Sequence, residues 1–313
     1  MERKDVIERA YQLINEPIDP NLRCPVELVD LVEYKEAEAG ETIQYFNTDR
    51  TIVDYILSIN SDGDLVSTLV PMNGVVGLTP VGLQSNLETV LIDDVLNSKD
   101  SGALAARKDS IIRGMDKKEV KNVLDLCLGA GASQEVNKIS GEDLLDVIIK
   151  MKQKISDYAT NYILLVASDV MDAIEKYDKE NANNFNYKMA IKEEIANLGI
   201  TKIVKVIGLL STTGLVGGNV PVLAAGKAIL VGRDSSLAIG KPLTVVRRKF
   251  TKEVAELSGA GEGAVRLVEV IKTPQIVNVN GHNTLGYGVF GYEQIVEVLT
   301  NKRAVAFSDD IIA

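Results

Sequence analysis

The sequence offers few side chains that could carry out catalysis or bind a metal. His282 is the only histidine, and Cys24 and Cys127 are the only cysteines. Because histidine is the commonest general base near neutral pH and a frequent metal ligand, one imidazole leaves little room for either chemistry. A zinc site would need more thiolate or imidazole ligands than these. We interpret His282 as a loop residue that is exposed or bonded to backbone, and we expect no catalytic residue, metal or cofactor.

Two glycine-containing segments resemble nucleotide-binding motifs but lack an essential part of them. A phosphate-binding loop ending at Lys227 would need glycine in place of Pro221 and serine or threonine in place of Ala228. Residues 259–264 fit a G-x-G-x-x-A pattern, yet a helical pattern precedes them and a strand pattern follows. A dinucleotide site needs the opposite order, because the helix N-terminus must face the pyrophosphate. We therefore reject both motifs.

A third glycine-rich segment, the loop between Gly208 and Asn219, keeps one enzymatic alternative open. Its residues 212–218 (TTGLVGG) could bind an anion through backbone N–H groups. A mobile surface loop without a ligand often has the same composition. If the loop binds a nucleotide or phosphate, the chain would be a cytosolic α/β enzyme or ligand-binding protein.

The charge distribution argues against tight binding of nucleic acid. The chain has 34 Lys and Arg against 44 Asp and Glu, a net charge of −10, whereas nucleic-acid binding depends on a basic surface. The densest basic cluster is Arg247, Arg248 and Lys249, and no aromatic stacking platform accompanies it. We interpret it as a solvated or subunit-facing edge. An acidic stretch with Glu33 and Glu36 lies early in the chain, and our hypothesis is that the two patches pair between copies of the protein.

The first 100 residues predict an arm followed by many short strands. Residues 1–16 have apolar side chains at helical spacing, and Pro17 ends this helix. From residue 26 to 100, strand patterns alternate with turn signals, among them the turns at Gly63 and Gly74. We interpret this stretch as a long antiparallel excursion, and we assign Gly63 and Gly74 to assembly.

The rest of the chain mixes helices and strands. Residues 101–160 are helical in pattern, with Cys127 on an apolar stripe and therefore expected to be a buried, inert thiol. A capping box at residues 140–143 opens a helix of about 19 residues that continues to Tyr158. Strands and helices alternate from residue 162, and strand patterns return after residue 264. This pattern predicts an α+β or α/β fold, and the extended parts favour assembly over catalysis.

The order of these parts resembles the tailed-phage major capsid protein of the Hong Kong 97 type, an α+β fold shared by encapsulin shells. Three segments carry the resemblance: residues 162–177 (YILLVASDVMDAIEKY), 225–243 (AGKAILVGRDSSLAIGKPL) and 286–308 (GYGVFGYEQIVEVLTNKRAVAFS). The resemblance implies an N-terminal arm at 1–25, a long β-hairpin extended loop within 26–100, a peripheral domain with a spine helix at 101–160, an axial domain at 161–265 and strands returning to the peripheral domain at 266–313.

The same resemblance implies a structural protein and not an enzyme. Such a capsid protein would self-assemble into hexamers and pentamers that form an icosahedral shell around phage double-stranded DNA. It would work with portal and scaffolding proteins, enclose DNA without sequence-specific binding, and need no membrane. Its place would be the virion capsid, after assembly in the cytoplasm of a host bacterium. An encapsulin-type compartment shell is the alternative with the same fold, and another virion or tail-tube protein is a further one.

Overall fold

A computed structural model describes most of the chain, with gaps concentrated before residue 102. The described residues are 25, 27–38, 43–46, 75–78, 80–84, 88–91, 102–181, 189–210, 219–233, 241–257, 263–270, 275–279 and 281–312. The predicted helix at 1–16 and the turns at Gly63 and Gly74 lie outside these residues.

The described elements alternate between strands and helices, as the sequence pattern predicts. The strands are β1 (Val32–Ala37), β2 (Ile43–Phe46), β3 (Val75–Leu78), β4 (Val81–Gln84), β5 (Glu88–Leu91), β6 (Asn161–Val166), β7 (Ile200–Lys205), β8 (Leu209–Leu210), β9 (Asn219–Val220), β10 (Ala228–Arg233), β11 (Leu243–Arg248), β12 (Arg266–Val270), β13 (Gln275–Val279), β14 (His282–Leu299) and β15 (Val305–Ser308). The α-helices are α1 (Gly102–Leu128), α2 (Leu144–Ile155), α3 (Ser168–Asn181), α4 (Ile191–Asn197) and α5 (Lys252–Leu257).

A seven-stranded sheet is built around the single long strand β14. This strand has 18 residues, a length of about 60 Å at 3.3 Å per residue. One edge of β14 pairs in turn with β13, β12 and β11, all antiparallel, and the other edge pairs with β5 and β4. Strand β1 extends the sheet by pairing in parallel with β11. Segments far apart in the sequence therefore meet on one strand.

The longest described helix, α1, covers this sheet. It has 27 residues, about 40 Å at 1.5 Å per residue. It packs closely on β14 where that strand has a glycine: a Cβ built on Gly291 would lie 2.7 Å from the Ile111 Cγ2 atom and 2.5 Å from the Met115 sulfur. Gly291 thus allows the helix and strand backbones to approach each other. Helix α1 ends just before Gly129, where the sequence pattern predicts its end.

The predicted spine helix at residues 140–158 is shorter than expected and begins later. The residue that caps α2 is Asp143, whose Oδ1 accepts from the Asp146 N–H at 2.9 Å, while the Asp146 Oδ2 accepts from the Asp143 N–H at 3.0 Å. The predicted box was placed three residues too early, because Asp146 serves the box as well as Glu or Gln would. Helix α2 has 12 residues, and a separate 3₁₀ turn contains Tyr158. The long helix is α1 instead.

A second sheet of four strands, in the order β15-β10-β6-β7, holds the larger part of the core. Its central strands β6 and β10 are almost entirely buried, as the continuous apolar run from Tyr162 predicts. Helix α2 packs on β10 and β15. The Tyr177 hydroxyl of α3 donates to Asp143, the cap of α2, at 2.8 Å. The two helices are thereby tied together over this sheet.

The strands divide between the two sheets in a way that crosses the predicted border at residue 265. Strand β11 precedes that border but belongs to the seven-stranded sheet, and β15 follows it but pairs with β10 in the four-stranded sheet. The subdomain assignment stays a prediction. The expectation that the last strand rejoins a sheet begun earlier is met by β15.

Two further strand pairs lie at the base of segments that the structure does not describe. Strands β2 and β3 are antiparallel, with Ile43 opposite Leu78. Their pairing agrees with a two-stranded extended loop. Strands β8 and β9 pair at the base of the glycine-rich loop between Gly208 and Asn219, whose residues 211–218 are not described.

Candidate functional site

The predicted acidic and basic patches meet within one chain. Strands β1 and β11 are neighbours, and Glu36 lies opposite Arg247. The Lys249 Nζ atom lies 3.0 Å from the Glu38 Oε1 atom and 3.1 Å from the Glu36 Oε2 atom. The hydrogen bonds to Glu38 and Glu36 raise the pKa of Lys249. Lys249 therefore already has acidic partners inside the subunit. A role of these patches in contacts between copies stays a prediction.

The members of the basic cluster have different environments. Arg247, predicted at a solvated or subunit-facing edge, is completely buried, with 0% of its surface exposed. Arg248 points away from it, and its Nη1 donates to the Gln294 Oε1 atom at 3.3 Å. Glu33 lies 3.4 Å from the Lys35 Nζ atom, in a partly exposed pair. The interpretation of Arg247 as a surface residue is therefore wrong, because the sequence pattern does not reveal that α1 covers this part of the sheet.

Arg247 belongs to a buried cluster of charges between α1 and the seven-stranded sheet. Glu119 of α1, also 0% exposed, is its centre. The Glu119 Oε1 atom accepts from the Tyr34 hydroxyl at 2.5 Å, and its Oε2 atom accepts from the Arg266 Nη2 at 2.8 Å and also from the Arg247 guanidinium. The Arg247 guanidinium lies 4.8 Å from the centre of the Tyr34 ring. Helix α1 and strands β1, β11 and β12 thus converge on one carboxylate.

Arg266 links Glu119 to the long strand. Its Nε donates to the Glu293 Oε2 atom at 2.5 Å, and its Nη1 donates to Asp116 of α1. Burial opposes the charge of Arg266, but Glu293, Glu119 and Asp116 outweigh burial and raise the pKa of the guanidinium. Arg266 therefore remains charged and holds three acidic side chains together.

The cluster can position elements but offers no reactive group to a substrate. Its acids and guanidinium groups are engaged with one another in the interior, whereas a general acid or base must reach the substrate proton. The sequence contains a signal for this cluster: Arg266 lies between Val265 and Leu267, and Glu293 lies within a mostly apolar strand. Charged residues inside strands of this kind are candidates for buried ion pairs.

Cys127 lies in the main core and is completely buried, which confirms the expectation for this residue. Burial raises the pKa of its thiol to about 12, so almost no thiolate is present near neutral pH. We expect no reaction of Cys127 with a thiol reagent in the folded protein and complete reaction after unfolding in urea. A Cys24→Ser variant would leave Cys127 as the only thiol, and rapid labelling of that variant under native conditions would contradict this burial.

The remaining candidate groups are dispersed. His282 is exposed, as expected, but it is the first residue of β14 and not a loop residue, and it follows a turn in which Gly281 has φ +85°. In the part of the chain that the structure describes, no three His, Cys, Asp or Glu side chains cluster in a way that could hold a metal ion. Within the same residues, no helix combines the length and the apolar character that crossing a bilayer requires.

The end of the β13–β14 hairpin exposes two apolar side chains that face each other across the strands. Ile276 lies opposite Leu285, and they are 74% and 39% exposed. Farther along β14, the side chains from Tyr287 to Val289 are buried. An exposed apolar pair of this kind is suited to a contact with another molecule.

The sequence matches no family model and no curated protein, but solved structures match nearly the whole chain. A phage-related protein from Bordetella bronchiseptica RB50 is 16% identical with a TM-score of 0.50, over 98% of this chain and 97% of that one. The SrpI encapsulin complex from Synechococcus elongatus PCC 7942 is 13% identical with a TM-score of 0.49, over 100% of this chain and 96% of that one. The capsid of the cyanophage P-SCSP1u is 9% identical with a TM-score of 0.48, over 90% of this chain and 87% of that one.

The match with the phage-related protein agrees with the fold class predicted from the sequence. The chain has a mixed α+β fold of the Hong Kong 97 type. At identities this low, the likeness concerns the fold.

Proposed function

We propose that this protein is a shell-forming structural protein, the major capsid protein of a tailed phage. In this proposal it assembles into hexamers and pentamers that form an icosahedral shell around double-stranded DNA. Portal and scaffolding proteins are its proposed partners, and the virion capsid is its proposed location. The role is structural and not enzymatic. An encapsulin-type compartment shell has the same fold and is the alternative that the experiments below must separate.

The observation that carries this proposal is the match of the whole fold to a phage-related protein. It spans 98% of this chain and 97% of that protein with a TM-score of 0.50, so the likeness is not confined to one part of either chain. A match of one sheet alone would be weaker support, because common sheet motifs occur in proteins of many functions.

The described surface supports a role in assembly. The exposed apolar pair Ile276 and Leu285 suits contacts with neighbouring subunits, and the antiparallel pairing of β2 with β3 agrees with a two-stranded extended loop. Closed rings of identical subunits use such contacts repeatedly, so that many modest interfaces stabilise one shell. The net charge of −10 would keep packaged DNA from adhering to the inner wall.

The direct test is negative-stain electron microscopy of the purified full chain, with light scattering after size exclusion. We expect closed shells, or rings with fivefold and sixfold symmetry. Nuclease-protected double-stranded DNA in particles from the native host would support the phage capsid, and a protein cargo would support the compartment shell. A monomer or dimer that never assembles, even with crowding agents, would overturn both, and helical tubes would indicate a tail-tube protein.

The predicted N-terminal arm gives a second test of this proposal. We expect deletion of residues 1–16 to reduce shell formation strongly while leaving subunit folding nearly unchanged, because so short a helix has no core of its own. Circular dichroism would monitor folding and electron microscopy would count shells. Shell formation at the wild-type level would show that these residues are not an assembly arm.

A further inference from the structure

Helix α1 runs along β14 in the same direction, and the contact between them changes from apolar to charged. Ile111 and Met115 lie over Gly291. One turn farther along the helix, Glu119 is joined to Glu293 through Arg266. Near the end of the contact, the Asn122 Nδ2 atom donates to the Glu297 Oε1 atom at 3.0 Å. The charged half of this contact thus contains acids from both elements.

Acids outnumber cations in this charged half. Four carboxylates, those of Asp116, Glu119, Glu293 and Glu297, accompany two guanidinium groups, those of Arg247 and Arg266. Glu119 is 0% and Glu293 is 1% exposed, whereas the Asp116 side chain is 22% exposed and Glu297 is half-buried, so water offsets only part of the excess. An excess of negative charge in a largely buried contact is unfavourable, and binding protons relieves it.

The neighbours of Glu297 do not supply the missing positive charge. Asn122 is neutral, and Glu119 on the same helix carries the same charge as Glu297. Lys118 of α1 is the nearby cation but is exposed to solvent. On β11 the residue opposite Glu297 is Val245. Glu297 therefore lies between acids and apolar or neutral groups.

The pKa directions agree with this geometry. Burial raises the pKa of Glu293, although Arg266 opposes the shift through its charge and hydrogen bond, Arg247 opposes it more weakly, and Glu119 adds to it. Burial also raises the pKa of Glu297, opposed by the hydrogen bond from Asn122 and reinforced by Glu119. The two acids on β14 that face α1 thus bind protons more strongly in the folded protein than in the unfolded chain.

We propose that the contact between α1 and β14 is a proton-binding element, in which Glu297 and Glu293 hold protons that are released when the helix leaves the sheet. Mildly acidic solution then tightens this contact, and alkaline solution loosens it. The element acts inside one subunit, so this proposal does not depend on the proposed capsid function.

The sign of the effect follows from linkage. Above the ordinary glutamate pKa of 4.5, the unfolded chain has released protons that the folded chain still holds. Stability therefore falls as the pH rises from that value through the higher pKa values of the folded state. Each proton fully retained in the folded state changes the unfolding equilibrium constant by about tenfold per pH unit.

The test compares urea unfolding of the full chain and of a Glu297→Gln variant at about pH 5 and about pH 8. Many other acids titrate in this protein. The readout is therefore the difference in the free energy of unfolding between wild type and variant, and how this difference changes with pH. We expect the variant to gain stability relative to wild type as the pH rises, by up to about tenfold in the equilibrium constant per pH unit. A Glu253→Gln variant, at an exposed position on α5, is the control: its stability difference from wild type should be the same at both pH values.

An Asn122→Asp variant tests the same element in the opposite direction. A fifth acid in this contact, beside Glu119 and Glu297, should make the loss of stability with rising pH steeper than in wild type. The infrared band of protonated carboxylic acid should be weaker in Glu297→Gln than in wild type at mildly acidic pH. The proposal would be overturned by two results together: a stability difference between Glu297→Gln and wild type that does not change with pH, and a loss of stability with rising pH that is no steeper in Asn122→Asp than in wild type.

Discussion

Replacing Glu119 by glutamine is expected to destabilise the subunit by about 3–5 kcal/mol. Glu119 is the ion-pair partner of Arg247 within the described residues, and both side chains are completely buried. Glutamine keeps the shape but removes the charge, so the Arg247 guanidinium would lose its ion-pair partner in the interior. Removing one partner of a buried pair is far more harmful than the net value of the pair suggests. The midpoint of urea unfolding measures the effect.

A surface pair gives the matched control for this experiment. Glu175 lies 3.6 Å from the Lys192 Nζ atom, and the two side chains are 56% and 49% exposed. A Glu175→Gln variant is expected to leave stability almost unchanged, because water screens exposed pairs. A Tyr34→Phe variant should lose more stability than Glu175→Gln and less than Glu119→Gln, since it removes one hydrogen bond to Glu119 and no charge. Equal midpoints for Glu119→Gln and Glu175→Gln would contradict the central role of Glu119.

The second large effect is expected from Gly232→Ala, in the central strand β10. A Cβ at this position would lie 2.4 Å from the Ala159 Cβ atom and 3.3 Å from the Ala304 carbonyl oxygen. Neither neighbour is the flexible end of a long side chain, so the backbone has to move. Overpacking of this kind costs about 1–3 kcal/mol, and a strained backbone places this case at the upper end. Thermal unfolding at fixed protein concentration measures the loss.

An Ala159→Gly substitution provides an internal check on this steric argument. It removes the methyl group that the new Cβ would meet, so the double variant should recover part of the stability lost in Gly232→Ala. The remaining loss would come from the contact with the Ala304 oxygen and from the extra flexibility of glycine in the unfolded chain. If Ala159→Gly only adds its own destabilisation, the clash is not the cause.

The sequence predicts the buried strands and the ends of helices well, because local chemistry determines them. The continuous apolar run at β6 and the stop at Gly199, which has φ +83° after α4, are of this kind. The long strand β14 was only partly predicted, since Gly286 and Gly288 in its first half suggested a loop around His282. Glycine in this strand serves close packing instead: at Gly291 it makes room for α1.

The charge cluster could not be predicted, because its members come from distant parts of the chain. Tyr34, Glu119, Arg247, Arg266 and Glu293 meet only when α1 lies on a fully formed sheet. Local patterns indicate which strands exist, but not which of them pair or which side chains a helix will cover. For the same reason, the contact of Lys249 with Glu36 and Glu38 inside one chain could not be predicted from the sequence.

The long distance in sequence between β14 and its partners β4 and β5 has a consequence for synthesis on the ribosome. Strands β4 and β5 leave the ribosome early, yet their partner ends only at Leu299. The roughly 200 residues between Leu91 and Leu299 require about 10–40 s at 5–20 residues per second. During this time the early strands have unpaired edges that can aggregate. The seven-stranded sheet can thus be completed only after β14 has been synthesised, long after β4 and β5 have left the ribosome.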